Sequence, residues 1–170
     1  MELWDIYNSN GIKTGNVMKR GDIIKEGDYH LAAEVWIINN KSQILIQKRS
    51  ENRKVLPGIW GMTTGCIVSR EDSLNGCIRE AHEEIGIVLL KDNLKKLKRV
   101  FRKDTIWDVY VIKQEYDLSK AKLQKEEVSD LKWVTVTQLK EMLSNSEAFE
   151  YPEIYEILSL IQNTYLLQYN

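Results

Sequence analysis

Hydrophobic positions in the first half of the chain follow the patterns that are typical of β-strands. Residues 31–38 are mostly apolar and end in β-formers, which predicts a central strand. Residues 43–48 carry Ile44 and Ile46 between other side chains and predict a strand partly buried on both faces. Asn10-Gly11 is a strong turn signal. Predicted strands therefore occupy residues 3–7, 31–38, 43–48 and, in extended form, 61–68.

The period changes to that of a helix between residues 72 and 85. Apolar residues there lie four, three and four positions apart, which makes one stripe along a helix. The residues of this stripe are Leu74, Ile78, Ala81 and Ile85. Gly86 follows directly and is a natural helix stop.

The second half of the chain predicts strands followed by helices. Thr137 is a plausible N-cap for a short helix over residues 138–143. Residues 151–167 resemble a terminal helix with Pro152 near its first turn. The predicted strands cover residues 97–101, 106–112 and 131–136. This order indicates an α/β fold in which helices cover a mixed sheet.

Composition agrees with a globular protein of one domain. The chain has 170 residues, of which 43% are hydrophobic and 29% charged, and it has no repeat or low-complexity linker. We expect a single domain over residues 1–170. It would carry an N-terminal β-hairpin extension over about residues 1–29 and a C-terminal helix over about residues 151–167.

Charge, cysteine content and hydrophobic runs exclude several classes of partner and of protein. Lys and Arg number 24 and Asp and Glu 25, for a net charge of −1, so no general attraction to nucleic acid or anionic membrane is expected. Two cysteines, Cys66 and Cys77, are too few for a disulfide-stapled fold. No apolar run is long enough to span a bilayer and the start of the chain lacks a signal-peptide pattern. These features predict a cytoplasmic protein with reduced thiols.

The helix over residues 72–85 also carries an acidic face. Glu80, Glu83 and Glu84 are spaced i, i+3 and i+4 and fall within roughly 100° of arc, opposite the apolar stripe. Such a face is either solvated or a site for a hard divalent cation, which prefers oxygen ligands. The helix alone does not decide between these interpretations.

The wider spacing resembles the Nudix box. Residues 65–87 fit the pattern G-x5-E-x7-R-E-U-x-E-E-x-G-U, in which U is hydrophobic, at every defined position. The order of strand, loop and helix over roughly residues 30–143 is also similar to Nudix proteins. This resemblance implies a Nudix-type α/β/α sandwich with a mixed β-sheet flanked by helices.

The resemblance also implies a reaction and a set of roles. Members of the family cleave diphosphate linkages, typically in a nucleoside diphosphate joined to another group, by attack of a metal-activated water. The expected cofactor is Mg²⁺, with Mn²⁺ as an alternative. The implied metal ligands are Glu80, Glu83, Glu84 and the backbone carbonyl of Thr64, with Glu80 also a candidate base; the implied supports are Gly65, Glu71 and Arg79. A simple ion pair between Glu71 and Arg79 at the helix start is compatible with that supporting role.

Residues outside the box have weaker signals. Many Nudix enzymes place a further catalytic glutamate on a loop that faces the metals, and Glu127 is the candidate here, against an exposed loop glutamate. Lys48 and Arg49 end a strand and could bind a phosphate or simply be solvated. Trp60 could form a wall of the substrate site or belong to the core. His30 is interpreted as structural or at the edge of the site.

Two other functions stay open at this point. Residues 4–30 resemble the corresponding region of isopentenyl-diphosphate isomerases, which use a cysteine just before the position of Gly65 and a metal-binding histidine just after it. This chain has Thr64 and Cys66 there, which favours a hydrolase, since a hydroxyl is a much weaker acid than a thiol. A catalytically silent nucleotide-binding or metabolite-binding module is the other alternative. The expected partner is a small diphosphate, and the N-terminal hairpin and terminal helix would allow a homodimer.

Overall fold

The computed structural model of the protein describes residues 2–166. Within this range a mixed β-sheet carries helices on both faces, and a separate two-stranded hairpin precedes it. The strands are β1 (Leu3–Tyr7), β2 (Lys13–Lys19), β3 (His30–Ile38), β4 (Ile44–Arg49), β5 (Trp60–Gly61), β6 (Thr63–Cys66), β7 (Lys95–Arg102), β8 (Thr105–Lys113) and β9 (Val128–Val134). The helices are α1 (Ser73–Ile85), α2 (Val136–Ser144) and α3 (Ile154–Ile161), and α3 continues into a π-helical segment, Gln162–Leu166. The predicted α/β sandwich is confirmed.

Strand β3 is the centre of the sheet, and all nine of its residues are buried. One edge pairs in parallel with β8, from His30 opposite Thr105 onward, and β8 pairs antiparallel with β7. The other edge pairs antiparallel with β6 and, at its far end, with β4. Strand β4 in turn pairs with β5 and β9. The apolar run at residues 31–38 therefore reflects burial on both faces.

Alternation along β3 divides the interior into two cores. Its odd-numbered side chains, such as Val35 and Ile37, join the core beneath α1. Its even-numbered side chains, such as Trp36 and Ile38, join the core beneath α2 and α3. Helix α1 therefore lies on one face of the sheet, and the two later helices lie on the other.

Helix α1 begins and ends at the residues that the sequence predicts. The Asp72 side chain caps its start by accepting a hydrogen bond from the backbone N–H of Asn75. Gly86 ends the helix with φ 75°, a left-handed conformation that costs glycine little. Ala81 and Ile85 of the predicted apolar stripe are buried in the first core, and Leu74 and Ile78 pack against it.

The two later helices differ from prediction at their starts. Thr137 is not an N-cap, because Thr135 caps α2 two residues earlier in a reciprocal capping box with Gln138. The terminal helix begins at Ile154 rather than at 151, and Tyr151 instead buries its hydroxyl against Glu34; the predicted end at residue 167 lies outside the described residues. None of the helices in residues 2–166 is both long and apolar enough to cross a membrane.

The N-terminal hairpin packs against the end of the sheet at which β3 begins. Strands β1 and β2 pair antiparallel, and Tyr7 forms a further antiparallel bridge with Tyr29. The indole of Trp4 stacks on the His30 ring, with 4.2 Å between ring centroids. This stacking brings the hairpin close to the segment that leads into α1.

Candidate metal and substrate site

Strand β6 and helix α1 place the first carboxylate of the site directly over a glycine. Gly65 lies in β6 opposite Ala33, and Glu80 projects from the middle of α1. A Cβ atom at position 65 would lie 2.1 Å from both Cγ and Cδ of Glu80, so only glycine leaves room for this side chain. The Glu80 side chain therefore packs directly against the backbone of Gly65.

Arg79 connects the acidic face of α1 to the loop before it. Its Nε and Nη2 donate to the Glu71 carboxylate at 2.9–3.3 Å, and its Nη2 also donates to the Cys66 carbonyl at 3.2 Å. Its Nη1 donates to Glu80 at 2.9 Å and to Glu83 at 3.0 Å. Arg79 thus connects Glu71, the other side chain with an implied supporting role, to Glu80 and Glu83 of the box.

Glu84 does not belong to a solvated face. Its side chain is buried, and its Oε2 accepts a hydrogen bond of 2.7 Å from Nε2 of Gln47, whose Oε1 accepts one of 2.9 Å from Thr63. Burial raises the pKa of Glu84 to about 7 against the opposing hydrogen bond from Gln47, and the charges of Glu80 and Glu127 add to the rise. The three carboxylates therefore act on one another.

Glu127 reaches this cluster from the loop before β9. Its backbone carbonyl accepts from the Ser50 N–H at 2.8 Å, and its carboxylate forms an ion pair with Arg53. Glu126 is exposed, whereas Glu127 is only partly exposed. The charge of Glu127 acts on Glu84, and the catalytic role of Glu127 stays a prediction.

The three substrate-binding candidates do not lie together. Arg49 shares a face with Gln47, and it interacts electrostatically with Glu84 and Glu127. Lys48 points to the other face and contacts Glu51 at 3.7 Å, while Trp60 packs against the second core with Lys132 4.1 Å above its ring. The structure therefore brings Arg49 to the carboxylate cluster and leaves Lys48 and Trp60 away from it.

Two residues of the site were missed by sequence reasoning. Gln47 holds Glu84, and Arg53 holds Glu127. Neither residue has a motif of its own. The period of two along β4 would have placed Gln47 with Arg49 once the face of either was known. No comparable signal marks Arg53, which lies in the loop between β4 and β5.

The sulfur and imidazole groups near the site have no catalytic arrangement. Burial raises the pKa of the Cys66 thiol to about 11 and that of Cys77 to about 12, so both are protonated at neutral pH. His30 shares a 2.8 Å hydrogen bond with the Thr105 hydroxyl, and burial lowers its pKa. His30 thus lies between the hairpin and β8, in contact with Trp4 and Thr105.

The donors gathered here fit a divalent cation of the magnesium type. They are carboxylate oxygens, one of which packs against the backbone of β6, and hard cations prefer oxygen ligands. Burial raises the pKa of Glu80, although Arg79 opposes the rise, and burial also raises the pKa of Glu84. Added positive charge would therefore stabilise the ionised form of both carboxylates. In their present rotamers, no three acidic, histidine or cysteine side chains of residues 2–166 meet closely enough to hold a metal ion.

Comparison with known proteins identifies the family of this arrangement. The family described as "NUDIX domain" matches residues 28–156. An uncharacterised Nudix hydrolase of Listeria monocytogenes is 32% identical over 94% of this chain and 95% of its own length. Isopentenyl-diphosphate Delta-isomerase of Shigella flexneri is 30% identical over 48% of this chain and 46% of its own length.

A solved structure shares the fold. The crystal structure of DR0079 from Deinococcus radiodurans superposes with a TM-score of 0.75 at 18% identity, over 93% of this chain and 98% of that one. At this level of identity the likeness concerns the fold alone.

Proposed function

Because this chain belongs to the Nudix hydrolase family, we propose that it hydrolyses the diphosphate linkage of a small molecule with the help of a divalent metal ion. The proposed substrate is a nucleoside diphosphate joined to a second group. The proposed metal ligands are Glu80, Glu83, Glu84 and the carbonyl of Thr64, with Mg²⁺ as the preferred ion and Mn²⁺ as a substitute.

The packing of Glu80 over Gly65 is the observation that carries this proposal. It holds a carboxylate against the backbone of β6, while Glu84 is buried, has a raised pKa and interacts with the charge of Glu80. Burying several carboxylates together is costly unless positive charge compensates them. A resident cation would supply that charge, and it would also attract the negative oxygens of a diphosphate.

The proposed mechanism assigns each residue a positioning or proton-transfer role. A bound divalent cation would neutralise diphosphate oxygens and make water a better nucleophile at neutral pH. Arg79 positions Glu80 and Glu83, and Gln47 positions Glu84. Glu127 accepts the proton of the attacking water as the water oxygen bonds to phosphorus. The bridging oxygen then leaves with the electron pair of the broken bond, so each product carries one phosphate.

Isomerisation of isopentenyl diphosphate is less well supported. The similarity to the isomerase covers about half of each chain. Where the isomerases that this chain resembles use a cysteine, this chain has Thr64. Where they use a metal-binding histidine, it has Cys66. A threonine hydroxyl is far too weak an acid to protonate a double bond in place of a thiol.

A substrate panel tests the proposed reaction. Purified protein is incubated with ADP-ribose, coenzyme A, a dinucleoside polyphosphate, an oxidised nucleoside triphosphate and isopentenyl diphosphate, with Mg²⁺ and with EDTA. We expect cleavage of a P–O–P bond in at least one compound, loss of activity in EDTA and recovery with Mg²⁺ or Mn²⁺, measured by product mass. An allylic isomer without P–O–P cleavage would favour the isomerase instead.

Paired carboxylate variants test the assigned residues. We expect Glu84→Gln and Glu127→Gln to lower kcat on the best panel substrate by about 100-fold or more, because each removes a charge that acts in the transition state. Glu126→Gln is the matched control and should be nearly silent, since Glu126 is exposed beside Glu127. Thermal unfolding checks that all three variants are folded. Wild-type rates in both test variants would refute the assignment.

A further inference from the structure

The N-terminal hairpin is attached to the loop that leads from β6 into α1. The Leu3 carbonyl accepts a hydrogen bond of 2.7 Å from the Ser69 N–H. The Asp5 carboxylate accepts from the Ser69 hydroxyl at 2.6 Å and from the Arg70 N–H at 3.1 Å. The hairpin is therefore anchored a few residues from Gly65, and its position is coupled to that of the carboxylate site.

Arg20 directly follows strand β2 of this hairpin and is held there by contacts with Glu2 and Trp4. Its backbone N–H donates to the Glu2 carbonyl at 3.0 Å, and its Nη1 donates to Glu2 Oε2 at 2.8 Å. The other Glu2 oxygen accepts from the Trp4 indole at 2.9 Å, and the Arg20 guanidinium lies 6.0 Å from the Trp4 ring. Because Trp4 stacks on His30, the position of Arg20 is tied to the start of β3.

The charge of Arg20 acts on the site itself. Hydrogen bonding to Glu2 raises the pKa of Arg20, and interactions with Cys66 and Glu127 raise it further. Glu2 interacts in the same way with Glu80 and with Arg79, so the Glu2–Arg20 pair borders the carboxylate cluster. Residues of β6, α1 and the loop before β9 therefore interact electrostatically with this pair.

Arg20 differs from Arg79 in the N–H groups that it has left to donate. Arg79 makes hydrogen bonds through all three of its nitrogens. Among residues 2–166, Arg20 forms a side-chain ion pair only with Glu2, through Nη1, and 49% of its side chain is exposed. Its Nε and Nη2 groups are therefore available to a ligand, in a geometry that suits phosphate oxygens.

We propose that Arg20 is an anion subsite at the rim of the carboxylate cluster, which binds the oxygens of one phosphate of a diphosphate substrate. The inference rests on the proposed function and extends it to the N-terminal hairpin. Arg20 would bind and orient the phosphate, and the carboxylates of α1 would hold the cation on the reacting side. Glu2 pairs with Nη1 alone, so its negative charge lies beside the proposed anion without occupying the donors that would bind it.

Two variants that break the same ion pair test this subsite. Methylenediphosphonate, a diphosphate analogue that cannot be hydrolysed, is titrated calorimetrically into wild-type, Arg20→Gln and Glu2→Gln proteins with Mg²⁺ present. We expect Arg20→Gln to weaken binding by about tenfold or more, because it removes a charged donor to phosphate. Glu2→Gln should bind at least as tightly as the wild type, because it keeps Arg20 and removes a negative charge. Urea unfolding compares the folding of the two variants.

The outcomes separate the subsite from the proposed function. Equal weakening in both variants would mean that the ion pair is only structural, and unchanged binding in Arg20→Gln would mean that Arg20 does not touch the anion; either result overturns the subsite alone. Failure of the wild-type protein to bind methylenediphosphonate would overturn both the subsite and the diphosphate site on which it rests.

Discussion

At the scale of single residues, the site depends on where a side chain is missing. Gly65 has no conformational need for glycine, since its φ is not in the left-handed region, and its role is to leave space for Glu80. Gly61 on the neighbouring strand β5 has open space where its Cβ would lie. The two glycines therefore differ in what an added methyl group would contact.

Replacing each of these glycines by alanine gives a matched prediction. In Gly65→Ala the new methyl group would displace the flexible Glu80 side chain rather than the backbone, so we expect kcat to fall by at least about tenfold with little loss of folding stability. Gly61→Ala should leave both properties unchanged. Steady-state kinetics on the best panel substrate and urea unfolding measure the two effects. Similar kinetics in the two variants would remove Gly65 from the site.

At the residue scale, sequence spacing carries information within the box and little beyond it. Spacing along one helix places Glu80, Glu83 and Glu84 together, because helical geometry is local. The contacts of Glu84 with Gln47 and of Glu127 with Arg53 join elements far apart in the chain. They depend on strand register and loop conformation, which no local spacing records.

At the scale of elements, Asp108 joins helix α1 to strands β7 and β8. Its wholly buried carboxylate accepts from Ser73 at the start of α1 at 2.6 Å. It also accepts from Arg99 at 2.7 and 2.8 Å, and it pairs with Lys96 at 2.7 Å. Burial alone would raise the pKa of Asp108, but the hydrogen bonds from Arg99, Lys96 and Ser73 outweigh it, and the pKa is lowered.

This network predicts a stability that depends on pH. Asp108→Asn should lower the free energy of unfolding by about 3 kcal/mol at pH 7, because it leaves two cations without their buried partner. Since the folded pKa is below the unfolded value, the charge of Asp108 stabilises fully above about pH 4 and less as pH falls through the folded pKa. Urea unfolding should therefore show the gap between wild type and variant narrowing in acid. The exposed control Asp92→Asn should show no gap.

Element boundaries were harder to predict than the elements themselves. Thr135 and Thr137 are equally good caps by residue type, and Thr135 is chosen because Gln138 stands at the position that completes the capping box. Tyr151 fits a helical pattern, but its hydroxyl satisfies the buried Glu34 at 2.6 Å. In both cases side-chain hydrogen bonds that the hydrophobic period does not record lie at or just before the start of the helix.

At the scale of the whole molecule, β3 holds the two cores and the site together. Its two faces contribute to both cores, and its edges pair with β6 of the site and with β8. The apolar run at residues 31–38 was sufficient to predict a central strand. It contains no information on which strands would lie beside it, because hydrophobicity specifies burial and not partners.

The parallel pairing of β3 with β8 also has a kinetic consequence. His30 lies opposite Thr105, so the segment that contains α1 must close into a long loop before this ladder can form, and the entropy of that closure opposes early pairing. We expect the chain to refold in roughly milliseconds to seconds, as topologies rich in non-local contacts do. Stopped-flow tryptophan fluorescence after dilution from urea measures this rate, with Trp36 as a fully buried reporter. Complete recovery within microseconds would mean that this pairing is not part of the folding barrier.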